Sequence, residues 1–256
     1  MDLLAKERAL NAEPQQQITL LEVQRHDLEL DRVRHRRATL PEAVRVTEIQ
    51  TAQRTLADGL TAVSVEVADL ELEQRKADND VDLVRQRSTK DRDLLDSGSI
   101  NDAKQLTSLQ HELESLARRQ SELEDIELEV MERLEDAQHR QAALLVERDQ
   151  LVADLAAAEA ARDAALAGLA DEETAAKAAR ASAADGLPAE LMALYDKLRA
   201  DNGGIGAAAL QRGRCEGCRI ELTPVDLERI RAAAPAEVVR CEECRRILVR
   251  TPESGL

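Results

Sequence analysis

Asp96-Ser97-Gly98-Ser99-Ile100-Asn101 is the stretch in which the chain turns back on itself, and its reading decides the fold. Gly98 offers a left-handed position after the Leu94-Leu95 end of one helical arm, and Ser99 with Asp102 makes a capping-box-like start for the next. One arm then runs from about Pro14 to Leu95 and the other from about Asn101 to Ala184. Each has roughly 80 residues and, at about 1.5 Å per residue, reaches roughly 120 Å. Arms of matched length are what a helical hairpin requires.

The arms carry the periodicity this reading demands. Ile49, Gln53, Leu56, Leu60, Val63, Val67, Leu70, Gln74, Ala77, Val81 and Val84 alternate steps of four and three, a heptad seam. After the turn Leu106, Leu109, Leu113, Leu116, Leu123, Ile126, Val130 and Leu134 resume it. Wider gaps to Leu144, Leu151 and Leu155 predict a supercoil that loosens toward its far end. An alanine-rich run, Ala156 to Ala184, completes the second arm and lies opposite the segment before Pro41 if pairing follows the turn. That segment has a weaker stripe, Ile18, Leu21, Leu28 and Val33, interrupted by Arg25 and Arg32. Thr39-Leu40-Pro41-Glu42 combines capping-box spacing with a proline and predicts a break or kink at 39–42. A regular seam also suits a parallel homodimer, but the near-central turn favours an antiparallel hairpin within one chain.

Composition agrees. Among 256 residues there is one Tyr, no Trp and no Phe, too little bulk for a thick globular core. No window approaches 18 uninterrupted apolar residues, and the polar lead-in over residues 1–13 lacks a basic stretch followed by an apolar one. A soluble, cytoplasmic protein is expected. The formal charge of −16 is unevenly placed. Residues 1–200 carry 26 Lys+Arg against 42 Asp+Glu, and residues 201–256 carry 9 against 9. An acidic hairpin repels nucleic acid and acidic membranes and favours basic partners.

Asp185-Gly186-Leu187-Pro188 ends the hairpin, and a shorter helix follows through Leu191, Leu194, Tyr195 and Leu198 to Asp201-Asn202-Gly203-Gly204. Three regions are therefore expected: a coiled-coil hairpin over 1–184, a connecting helix over 185–202 and a small module over 203–256.

That module holds the chain's four cysteines as two C-x-x-C pairs, Cys215/Cys218 and Cys241/Cys244, separated by 22 residues. Two thiolates on a tight knuckle bite one ion at about 2.3 Å, and two knuckles complete a tetrahedron of soft ligands. Redox disulfides and an iron–sulfur cluster use the same residues, but the paired spacing favours one structural Zn2+ per chain. Four protein ligands leave no position for a reactive water. Ala207–Gln211 and Arg219–Leu222 are expected to flank the first knuckle as short strands, and Val238–Arg240 with Ile247–Arg250 the second. Thr223-Pro224-Val225-Asp226 starts a short helix that ends by Pro235. So small a module depends on its metal, which in isolated zinc peptides supplies about 10–16 kcal/mol. Loss of the metal is expected to unfold the module and leave helical content almost unchanged. The fold class is thus mainly α, a long antiparallel coiled-coil helical hairpin followed by a small C-terminal zinc ribbon of short β-strands and a short helix.

The chain resembles a bacterial family that joins a coiled-coil hairpin to a C4-type zinc ribbon, often described as predicted nucleic-acid-binding zinc-ribbon proteins. On the hairpin the resemblance rests on Ser97-Gly98, Leu106, Leu109, Glu112, Leu116, Arg119, Leu123-Glu124, Met131-Glu132 and Glu135. In the ribbon it rests on Cys215-x-x-Cys218, Leu222-x-Pro224, Ile230, Val239, Cys241-x-x-Cys244 and Arg246-Ile247-Leu248. The family usually has Gly after its last cysteine, where this chain has Arg245, so the backbone of the second knuckle is where a departure is expected. The resemblance implies a non-enzymatic adaptor or chaperone: some members bind an alternative sigma factor and flagellar export components, and one is linked to messenger RNA.

Two functions follow. A protein-interaction scaffold, monomeric or weakly dimeric, would use hairpin and ribbon as separate surfaces. A nucleic-acid-binding protein would use Arg212, Arg214, Arg219, Arg240, Arg245, Arg246 and Arg250, the candidate nucleic-acid or partner contacts of the ribbon. The module's zero formal charge, the about −2 of a zinc–tetrathiolate centre and the absence of stacking aromatics favour the scaffold. No nucleophile–base pair, phosphate loop or open metal position recommends an enzyme.

Overall fold

The computed structural model describes residues 10–256, so most of the lead-in expected over 1–13 lies outside the described residues. The elements are α1 (Pro14–Ala38), α2 (Pro41–Asp96), α3 (Ala103–Ala184), α4 (Ala189–Asp201), β1 (Ala207–Gln211), β2 (Arg214–Cys215), α5 (Pro224–Ala232) and β3 (Ile247–Arg250), closed by a 3-10 turn at Pro252–Ser254. The fold is a long helical hairpin with a small C-terminal sheet and short helix.

At the turn, Gly98 has φ 62°, the left-handed conformation expected of it. The Ser97 hydroxyl donates to Leu94 O at 2.8 Å, which satisfies a free carbonyl of the last turn of α2. The cap of α3 differs from expectation. Asp102 alone accepts from Lys104 N, at 3.0 Å, while the Ser99 hydroxyl pairs with that of Ser97. At the other end α1 stops at Ala38 and α2 begins on Pro41, where the missing N–H is harmless.

The chain folds as two compact units. In the unit of residues 43–160, every seam residue expected from Ile49 to Val84 is buried or half-buried. On α3 the register needs two corrections. Ile126 is 47% exposed, and its neighbour Glu127 takes the inward position between Leu123 and Val130. The gap after Leu134 is filled by Ala137, fully buried against Val67 and Leu70, and then by half-buried Gln141. From Leu123 to Leu144 the seam runs 123, 127, 130, 134, 137, 141, 144, because alanine, glutamine and glutamate occupy heptad positions that an apolar count skips. Residues 145–150 are then all exposed, and half-buried positions resume at Leu151, so the loosening expected toward the far end is confined to that gap. Ion pairs across the pair, Arg85–Glu124 at 2.7 Å, Arg140–Glu66 at 2.7 Å and Arg133–Glu73 at 3.2 Å, flank it.

The second unit comprises, among the described residues, 10–42 and 161–256. Here the buried face of α1 is Gln17, Leu20, Val23, Gln24, Asp27, Leu30 and Val33, so the stripe Ile18-Leu21-Leu28 is only half-buried. Three polar side chains stand where a core face was expected to be apolar, and each has partners. Asp27 receives the Tyr195 phenol at 2.6 Å and Arg180 Nε at 2.7 Å. Gln24 accepts from Gly206 N at 2.7 Å and donates to Gly204 O at 2.9 Å. Gln17 donates to Ala12 O at 2.8 Å and Pro235 O at 3.2 Å. The N-terminal segment is tied in as well: Asn11 bridges antiparallel to Glu237, with Ala12 N on Ala236 O at 2.8 Å and Val238 N on Leu10 O at 2.9 Å.

Candidate metal centre and its platform

The three-stranded sheet has the order β2-β1-β3, with β1–β2 antiparallel and β1–β3 parallel. Side chains of a strand alternate between faces, so one strand can serve two cores. Ala207, Ile247 and Val249 pack with Ala12, Leu20 and Val23 and with Leu191, Tyr195 and Leu198 of α4. Ala208, Leu210 and Leu248 point the other way and pack with Cys215, Cys241, Leu222 and Ile230. A single layer of backbone separates the helical core from the cysteines.

Gly206 lets this layer approach α4. A Cβ there would lie 2.5 Å from Tyr195 O and 2.8 Å from its ring, closer than any real side chain tolerates. Gly217 in the first knuckle is similarly confined, since a Cβ would meet Arg246 Cδ at 2.8 Å and Ala208 Cβ at 3.0 Å. The strands expected at Arg219–Leu222 and Val238–Arg240 are reduced to single bridges, Glu221 with Arg214 and Arg240 with Ile247. The helix expected after Thr223 is α5, capped by the Thr223 hydroxyl accepting from Asp226 N.

The four cysteines converge. Cys215 Sγ is 3.9 Å from Cys244 Sγ, Cys218 Sγ is 3.9 Å from Cys241 Sγ, and all four sulfurs lie within 4.8 Å of one another. A tetrahedron with metal–sulfur bonds of about 2.3 Å has edges of about 3.8 Å, so the set fits one ion, and disulfide bonding at about 2.05 Å is absent. Burial pushes the Cys215 thiol up and the Cys241 thiol up to about 11, although backbone N–H groups of Gly217 and Cys218, and of Glu243 and Cys244, support the two sulfurs. Burial also opposes the Cys244 thiolate, but the N–H groups of Arg246 hold that thiol below its usual value. Clustered buried thiolates are costly without a cation, and a divalent ion removes that cost by deprotonating and ligating all four.

Each knuckle closes alike. Arg219 N donates to Cys215 O at 2.7 Å and Arg245 N to Cys241 O at 2.9 Å, and both arginines adopt left-handed backbone, φ 61° and 62°. Arg245 therefore takes the conformation that glycine would favour, without distorting the ligand set.

The seven ribbon arginines fall into different environments. Arg250 donates to the carbonyls of Ala233, Ala234, Pro235 and Glu237, gathering the loop after α5. Arg246 donates to Ile205 O at 2.9 Å and Asn202 O at 2.8 Å, tying the second knuckle to the end of α4. Arg240 donates to Arg245 O, and Arg245 lies 3.6 Å from Glu242. Only Arg212, Arg214 and Arg219 are exposed with no side-chain hydrogen bond or ion pair among the described residues. The sequence reading did not pick out Gln17, Gln24, Asp27, Arg180 or Arg199, which hold the platform. Their one signal is spacing: 17, 20, 24 and 27 keep heptad steps with polar residues at three of four positions.

Comparison with known proteins agrees with this architecture. The family of CT398-like coiled coil hairpin domains matches residues 23–203, and the C4-type zinc ribbon domain matches residues 214–248. The uncharacterised protein Rv2229c of Mycobacterium tuberculosis is 43% identical over 235 residues, 92% of this chain and 95% of that protein. A solved structure from Mycobacterium smegmatis is similar with TM-score 0.79 and 40% identity, covering 94% of this chain and 100% of that one. CT398 from Chlamydia trachomatis shares the fold with TM-score 0.66 at 16% identity, over 93% of this chain and 98% of that one. The cofactor that the four cysteines hold is thus a single structural Zn2+. No helix among the described residues is long and apolar enough to cross a membrane.

Proposed function

The chain belongs to the CT398-like coiled-coil hairpin family with a C4-type zinc ribbon, and from that premise we propose that it works as a non-enzymatic, cytoplasmic adaptor or chaperone for protein partners. The observation that carries this reading is the two-faced sheet: one face packs on the metal ligands and the other on α1 and α4. A zinc ion placed there acts as a closed structural ligand set whose effect is to hold a platform in shape. Arg246 and Arg250, which a nucleic-acid reading would assign to phosphate, spend their donors on backbone carbonyls.

A nucleic-acid reading keeps one specific observation, the three unpaired arginines at positions 212, 214 and 219. Filter binding at physiological salt separates the two. The adaptor reading predicts weak, unspecific binding of RNA and DNA that falls steeply with salt, since each neutralised phosphate releases counterions. Sequence-selective, submicromolar binding abolished by Arg212→Ala/Arg214→Ala/Arg219→Ala would reverse the assignment.

A further inference from the structure

Between Ser121 and Asp136, α3 carries eight acidic residues and one arginine. The local pattern runs against hairpin stability. Of six large apolar residues from Leu123 to Leu134, the seam buries Leu123, Val130 and Leu134, and leaves Ile126, Leu128 and Met131 exposed by 47%, 58% and 43%. The inward position between them is given to Glu127. There burial and the neighbouring Asp78 carboxylate push the Glu127 carboxyl above its usual range. Exchanging the contents of positions 126 and 127 would improve the coil, so this stretch is shaped by something other than coil stability.

We propose that the outer face of α3 centred on Leu128 and Met131 is a docking surface for a basic amphipathic helix of a protein partner. The proposal rests on the adaptor reading and names the chemistry of what it binds. Leu128 and Met131, three residues apart, are neighbours on one helix face and offer an apolar centre. Asp125, Glu129 and Glu132 flank it along one side, and none makes a hydrogen bond or ion pair through its side chain among the described residues. Nearby cations are already committed, Arg133 to Glu73 and Arg85 to Glu124. Unpaired carboxylates along one edge of an apolar centre complement a helix with leucines along one stripe and lysine or arginine beside it. The same charges repel nucleic acid and anionic lipid. They also discourage self-association through this face, since a second copy would bring acid against acid.

The test is fluorescence anisotropy with the full-length, zinc-loaded protein. The probe is a labelled synthetic helix with leucines at i, i+3, i+4 and i+7 and lysine or arginine elsewhere, compared with a scrambled peptide of equal composition. The proposal expects the patterned helix to bind at least about tenfold more tightly than the scrambled one and to weaken as salt rises. Leu128→Ser/Met131→Ser should lose about tenfold, and Asp125→Lys/Glu129→Lys/Glu132→Lys should lose binding altogether. These residues are exposed or outside the seam, so unchanged thermal melting of both variants shows that folding is not the cause. Equal binding of the two peptides, or wild-type affinity of Leu128→Ser/Met131→Ser, overturns the proposal by reducing the face to unspecific charge. If protein partners from the native cell are kept by that variant, this face is excluded and the adaptor reading stands. If the wild-type chain keeps none, both fail.

Discussion

The Tyr195 phenol donates a 2.6 Å hydrogen bond to Asp27 Oδ2, joining α4 to α1 through the chain's single aromatic residue. The other carboxylate oxygen takes Arg180 Nε at 2.7 Å, so α3 joins the same node. Burial and the Asp27 hydrogen bond push the phenol's pKa up, which keeps it a donor throughout the physiological range.

Removing the donor should therefore cost more than an exposed hydroxyl would. Tyr195→Phe leaves a buried carboxylate short of one partner and should lower stability by about 1–3 kcal/mol in urea denaturation. Asp27→Ala should cost more than Tyr195→Phe, because it leaves the buried Tyr195 phenol without its acceptor and also removes one partner of Arg180, although Arg180 keeps Asp196 and Arg199 keeps Asp31. Additive losses in the double variant would show that the two residues do not act as a unit.

Confinement predicts a second effect. Gly206→Ala forces its methyl into Tyr195 and should destabilise by about 1–3 kcal/mol even though it adds apolar volume. In the second knuckle, Arg245→Gly should be neutral or mildly stabilising, whereas Arg245→Val should lower the ribbon's melting temperature, because β-branching disfavours positive φ. Equal melting temperatures for all three residues would show that position 245 bears no backbone strain.

Metal removal should reach further than the expectation that helical content stays almost unchanged. The sheet that packs on Cys215 and Cys241 also packs on Leu20, Val23, Leu191 and Tyr195, so chelation should expose amides of α4 and of the first half of α1 to hydrogen exchange. Seam amides around Val67, Leu70 and Leu134 should keep their protection. Elemental analysis of the untreated protein should find about one zinc per chain. Unchanged exchange in α4 after complete metal loss would show that the platform does not need the ribbon.

The Glu127 position predicts a pH dependence. Its carboxyl is raised in the folded state, so the folded chain binds a proton there more readily than the unfolded chain. That site's contribution then falls as pH rises from the ordinary glutamate range through the raised value, and the penalty is complete at neutral pH. Glu127→Gln should raise the melting temperature at pH 7 and change it little at pH 4. An equal gain at both values would contradict the assignment to charge.

The parts legible in the sequence were those whose chemistry has a fixed spacing. Gly98 marked the turn, steps of three and four from Ile49 marked the seam, and the two C-x-x-C pairs marked the metal set. The sequence was less legible where polar residues took core positions. Gln17, Gln24 and Asp27 went unmarked because nothing local says that Pro235, Gly206 and Tyr195 will meet them. Ile126 read as seam because an apolar count prefers it to Glu127, yet helix geometry places the glutamate inward. The two-faced sheet was hidden for a different reason, since β1 and β3 pair in parallel across about 35 residues and either strand alone shows only alternation.

Recovery of partners from the native cell is the most direct test of the central claim, that a zinc-held platform and an acidic hairpin serve protein partners. The full-length chain would be retrieved at physiological salt with and without nuclease, beside Cys241→Ser. The account predicts that a defined protein partner survives nuclease treatment and is lost or sharply reduced with Cys241→Ser. Partners that vanish on nuclease treatment, with nucleic acid as the retained species, would contradict it.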